Sequence, residues 1–191
     1  MMTFEDGSYE NETFENVDWR DDLVGVDFFN CVFKNSSFQS SRFMECSFDS
    51  CEFIQCNLSL VEILHTSFLD AKFIDCKMLG VTWSAIGGFL TASYAGCAMN
   101  NNIFADMNLT KFSFASCSFV EASFHNTKLK HAVFDDCDLS GCLFSQADLS
   151  FTDFTTSRNY QISSEQNILK KTKFSLPEAV SLLANLDVVI K

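Results

Sequence analysis

Cys46-Ser47-Phe48-Asp49-Ser50-Cys51-Glu52-Phe53-Ile54-Gln55-Cys56-Asn57-Leu58 sets the period of the whole chain. A small residue and a large apolar residue stand two apart, and the pair returns every five residues. Residues two apart project to one side of extended backbone, and the positions between are polar. A period of five fits neither a helix, whose apolar stripe returns at three and four, nor a flat strand, which alternates by two. It fits extended segments that turn a corner after each repeat.

Outward from Phe48, the step of five runs from Phe28 to Trp83 through Phe33, Phe53, Phe68 and Phe73. The register slips by one residue around Ser84 to Gly88. It resumes as Phe89, Tyr94, Met99, Phe104 and Leu109, and continues through Phe114 and Phe134 to Phe154. An earlier run, Phe4, Tyr9, Phe14 and Trp19, joins through Leu23 after a one-residue deletion. The small position two before each centre holds all nine Cys of the chain, with Ala, Ser, Thr and Val elsewhere. Phe33, Phe53, Phe73, Phe114, Phe134 and Phe154 are the expected core centres.

With 191 residues, 47% of them hydrophobic, the chain can bury a core of its own. Its 22 Phe and single Pro point to a regular interior built by repetition. The acidic residues 1–12 do not form a signal peptide, and no apolar run is long enough to span a bilayer. A cytoplasmic location with reduced thiols follows as the expectation.

The formal net charge is −12, with 25 acids against 13 bases. Residues 1–30 carry nine acids against Arg20 alone. That balance disfavours direct nucleic-acid binding, which needs Lys and Arg, and suits docking into a basic groove on another protein. Asp135, Asp136, Asp138, Asp148 and Asp153 occupy outward positions near the end of the repeats and form the expected partner-binding surface.

The remaining chemistry is sparse. Cys46, Cys51 and Cys56 are spaced by five, unlike the close pairs of zinc sites, and should point inward. A thiol in apolar surroundings is unreactive. His65, His125 and His131 stand beside no plausible nucleophile, and Gly87-Gly88 falls at the slip as a bulge. No nucleophile, base and orienting group assemble, so no enzyme activity, metal or cofactor is expected.

After Phe154 the composition changes, which divides the chain at 1–156 and 157–191. Ser175-Leu-Pro-Glu178 has the form of a capping box. It predicts an α-helix over about residues 176–186, with Asp187-Val-Val-Ile190 as a terminal strand. Ala179, Val180, Leu182, Leu183 and Leu186 give that helix a wide apolar stripe, suited to a two-fold dimer contact as well as to capping the last coil.

Cys46-Ser-Phe-Asp-Ser, Cys137-Asp-Leu-Ser-Gly and Ala147-Asp-Leu-Ser-Phe resemble the pentapeptide-repeat consensus, and the resemblance covers roughly residues 4–156. It implies an all-β solenoid, a right-handed quadrilateral β-helix of four repeats, or twenty residues, per coil with a short C-terminal α-helical cap; on that fold Tyr94, Phe114, Phe134 and Phe154 fall in one column, and Phe89, Leu109, Leu129 and Leu149 in another. The acidic start, the midpoint interruption and the tail Phe174 to Ile190 look like the quinolone-resistance and microcin-immunity branch. That likeness implies a cytoplasmic homodimer joined through its C-terminal helices. Such a dimer would mimic DNA, bind DNA gyrase or topoisomerase IV, and protect it from quinolones or toxins. The one-residue slip is the only interruption, so the chain resembles a member without projecting loops. The alternative class is a scaffold that binds an unrelated protein.

Overall fold

The computed structural model describes residues 7–183. Short parallel strands are stacked coil upon coil into a four-sided solenoid (Phe28 over Tyr9, Phe48 over Phe28, Phe68 over Phe48). Face I takes its name here from this column. Face II carries Phe33, Phe53 and Phe73, face III Phe38, Leu58 and Met78, and face IV Phe43, Ile63 and Trp83.

The side-chain pattern follows from the corners. The residue two after most centres adopts a left-handed backbone, as at Asn30 (φ 50°), Asn35 (φ 48°), Asp136 (φ 51°) and Gly141 (φ 66°). Gly, Asn and Asp tolerate this conformation best, which accounts for their frequency at that position. Each corner turns the chain onto the next face, and the next centre again points inward.

Inside, the large residues form ladders of rings. On face II, Phe14, Phe33, Phe53, Phe73, Tyr94, Phe114, Phe134, Phe154 and Phe174 stack in one column, with centroids 4.8 to 5.8 Å apart. All six expected core centres belong to it and are fully buried. The spacing is that of paired strands, so backbone ladder and ring stack reinforce one another.

The small position has a second requirement that periodicity alone did not reveal. Its side chain donates to the carbonyl of a centre on the previous face, one coil back. Cys51 Sγ donates to the Phe28 carbonyl at 3.4 Å and Cys76 Sγ to that of Phe53 at 3.2 Å. Thr127 Oγ1 and Thr152 Oγ1 do the same for Phe104 at 2.9 Å and Leu129 at 2.8 Å. A small donor satisfies an otherwise buried acceptor, which explains why Cys, Ser and Thr alternate there.

Coil length varies where the sequence slips. The first coil holds 19 residues (Phe14 opposite Phe33), the regular coils 20 (Phe33 opposite Phe53), and the coil at the slip 21 (Phe73 opposite Tyr94). The extra residue enters ahead of Gly87, which pairs with Thr66, and a local bulge that is undone by Ala71 and Ala92 corrects the expected register at Phe68. Leu90, not Phe89, pairs with Phe68, and Phe89 is 74% exposed. Gly88 passes so close to the Thr66 carbonyl that a Cβ there would collide with it.

Parallel pairing does not stop at residue 156. It continues through Arg158, Ile168 and Lys173, with Tyr160 and Ile162 buried and Phe174 stacked on Phe154 at 5.8 Å. The solenoid therefore runs past the division expected at 156 and 157. Leu169 and Phe174 keep the frame of Phe154, and Asn159 and Ser164 are its two lapses.

The tail differs from the expected α-helix. Glu178–Leu183 is a 3-10 helix, and Glu178 does not close a capping box. Its Oε2 accepts the backbone N–H of Asn159 at 2.8 Å, so the carboxylate caps the solenoid instead. Leu186 and the expected strand at 187–190 lie outside the described residues.

Candidate acidic interaction surface

Three of the five expected carboxylates come together along the edge between faces II and III. Asp135 follows the face II centre Phe134, Asp136 makes the corner, and Asp138 begins face III. Each is fixed by short donors. Thr156 Oγ1 donates to Asp135 Oδ1 at 2.8 Å, and Ser116 Oγ to Asp136 Oδ2 at 3.2 Å. Asp138 Oδ1 accepts from Ser140 Oγ at 2.6 Å and Asn159 Nδ2 at 3.0 Å. The bonds from Asn159 and Ser140 hold its carboxyl below the usual carboxylate range. Arg158 offsets part of this charge, 3.2 Å from Asp136 and 3.9 Å from Asp138.

The other two carboxylates stand elsewhere. Asp153, mid-face on face II, is 2.8 Å from Lys173 Nζ. Partial burial pushes its carboxyl up, but Lys173 and Thr155 outweigh that and leave it below the usual range. Asp148 lies on face I. Burial pushes it up, and Ser150, Lys130 and Lys128 bring it down. Asp148 precedes Leu149, whose column is separate from that of Phe134 and Phe154, so it stands on a different wall from Asp135.

The tail residues divide. Leu182 packs against the core, Ala179 is half-buried, and Val180 and Leu183 are exposed beside Leu176. An apolar patch therefore remains open at the end of the rod.

Buried thiols line the interior. Cys56, Cys76, Cys97, Cys117 and Cys137 form one column on face III, each thiol against the next. Stacked thiols and burial push Cys56 and Cys137 up, and burial pushes Cys51 and Cys142 up to about 12. Among the described residues no group of three or more His, Cys, Asp or Glu could hold a metal ion. No helix among them is long and apolar enough to cross a membrane.

A family model and one solved structure agree with this architecture. The model of a family described as pentapeptide repeats matches in eight copies, over residues 22–61, 104–136 and 122–158. HetL, a pentapeptide repeat protein involved in heterocyst differentiation regulation from the cyanobacterium Nostoc sp., shares the fold. That likeness has 15% identity over 88% of this chain and 84% of HetL, with a TM-score of 0.56. QnrB1, a plasmid-mediated fluoroquinolone resistance protein, aligns at 18% identity over 95% of this chain and 100% of its own, with a TM-score of 0.38. No curated protein matches at the level of sequence.

Proposed function

Because the chain belongs to the pentapeptide-repeat family, with a solenoid interior filled by its own rings, we propose that it acts only through its outer surface, as a non-enzymatic protein-binding rod. Its acidic edge docks into a positively charged, DNA-binding groove of a partner. The partner class is a type II topoisomerase, DNA gyrase or topoisomerase IV, which the docked rod modulates or shields from quinolones or toxins. The observation that carries this reading is the fixed array at Asp135, Asp136 and Asp138 on a chain of net charge −12. Carboxylates held on a rigid wall lose little side-chain freedom on meeting cations. In this reading the rod is a cytoplasmic homodimer, and the exposed Leu176, Val180 and Leu183 supply an end-to-end contact.

The test is a gyrase supercoiling assay with purified protein, with and without a fluoroquinolone, at two salt concentrations. Salt-sensitive inhibition or drug rescue is expected, lost in the triple variant Asp135→Asn, Asp136→Asn, Asp138→Asn. No effect on gyrase or topoisomerase IV at micromolar protein removes the topoisomerase reading and leaves a scaffold for an unrelated protein.

A further inference from the structure

Face I is charged in two opposite halves. Its first four coils carry Glu10, Asp27, Asp49 and Asp70 and no Lys or Arg. Its last four carry Lys111, Lys128, Lys130, Lys170 and Lys171, with Asp148 as the one carboxylate. Those lysines are half of the ten in the chain, and all five are exposed. On the other faces several bases pair with acids on neighbouring coils, as Arg42 does with Glu62, Lys72 with Glu52 and Lys173 with Asp153. On face I each sign is gathered in its own half instead, and neither these lysines nor the four acids form an ion pair among the described residues.

Phe89 and Leu90 divide the two halves. Four coils separate Leu90 from Tyr9 in one direction and from Leu169 in the other. Phe89, 74% exposed, thus stands at the centre of the face.

We propose that face I is a homodimer interface, in which two copies of this chain pack antiparallel about a two-fold axis through Phe89. An axis lying across the face reverses the order of coils and leaves each row opposite itself. Under that operation Asp49 meets the second copy at Lys130, both one residue past a centre. Asp70 meets Lys111 corner to corner, Glu10 meets Lys170, and Phe89 meets its own symmetry mate. All three charge pairs are opposite in sign, and the interface closes on itself. Asp27 opposite Asp148 is the one like-charged pairing, and Lys128 and Lys130 stand beside Asp148 to offset it.

An apolar centre with a charged surround is the usual anatomy of a specific contact. Nine coils at the ~4.8 Å strand spacing make the face roughly 40 Å tall, but it is only about three residues wide. The contact is therefore small, and its strength should be micromolar and salt-dependent. It is independent of the topoisomerase reading, and it differs from the apolar contact at the tail.

Sedimentation velocity on the full chain tests the proposal, with far-UV circular dichroism checking that each variant folds. In a Leu183→Glu background, which removes the apolar tail contact, self-association is expected at about 50 mM salt and should be largely lost near 500 mM. Asp49→Lys or Lys130→Asp alone, each creating two like-charged meetings per dimer, should weaken it about tenfold or more. The double swap Asp49→Lys with Lys130→Asp should restore it, because the pair is rebuilt with reversed sign. A monomer at every concentration in low salt overturns the proposal, as does a double swap no better than the single variants. A dimer indifferent to salt and to Asp49→Lys but lost in Leu183→Glu is a tail dimer, and also overturns it. So does binding of a fluorescein-labelled oligonucleotide that Lys130→Asp abolishes while self-association is untouched. In that case the basic half is a nucleic-acid site.

Discussion

Glu178 Oε2 accepts the backbone N–H of Asn159 at 2.8 Å, and this bond ties the C-terminal turn to the last coil across nineteen residues. Asn159 has the left-handed backbone of a corner (φ 62°), and its side chain reaches Asp138 at 3.0 Å. The end cap and the acidic edge are therefore mechanically joined. Glu178→Ala should lower stability by about 1 kcal/mol, and Glu178→Gln, which keeps an acceptor, by less. Urea denaturation of the three proteins measures both. Equal stability would mean that the cap is held by Leu182 alone.

The stack on face II makes its members unequal to other Phe residues. Phe114 is fully buried between Tyr94 and Phe134, at 5.4 and 5.0 Å. Phe114→Ala should cost about 3–5 kcal/mol, the range for emptying an aromatic site in a core. Phe89→Ala removes an exposed ring and should stay within about 0.5 kcal/mol. Thermal unfolding of the two variants at low protein concentration, where self-association does not contribute, compares them directly.

Tyr94 interrupts a ladder of Phe with a hydroxyl, and that oxygen is buried without a hydrogen-bond partner among the described residues. Burial holds the phenol well above its ordinary pKa. Tyr94→Phe keeps the ring and removes the unpaired group, so it should raise stability by about 1 kcal/mol or more. A fall in the denaturation midpoint would show that the hydroxyl is satisfied in solution.

The buried thiols make stability depend on alkaline pH. An unfolded thiol titrates near about 8.5, whereas folded Cys51 and Cys142 are held up to about 12 by burial. The unfolded chain therefore loses these protons first as pH rises. The stabilising contribution is complete below about pH 8.5 and declines as pH climbs towards 12. Urea midpoints measured from pH 8 to pH 11 should fall, and fall less in the double variant Cys51→Ala, Cys142→Ala. At neutral pH Ellman's reagent should react with the native protein slowly and with all nine thiols after denaturation. Rapid reaction in the native state would contradict their burial.

The interior was legible from residue types because each repeat is a local unit. Phe33, Phe53, Phe73, Phe114, Phe134 and Phe154 point inward whatever coil they occupy, since a corner follows every centre. The same local rule marks the small position, where all nine Cys lie. It misplaced Phe89, because a one-residue bulge can be absorbed on either side of a centre with the same composition. The tail misled for a different reason. Ser175 and Glu178 fit a capping box, but the unpaired Asn159 N–H of the last coil took the carboxylate first.

The repeat, its inward and outward sides, and the cornered path of the chain were readable from residue types alone, because interactions within five residues set them. Which outward residues share a wall was decided only by tertiary structure. Coils of 19, 20 and 21 residues accumulate into the register, so one inserted residue shifts every later side chain relative to those before it. That accumulation brings five lysines, from Lys111 to Lys171, onto the wall that begins with Glu10, Asp27 and Asp49.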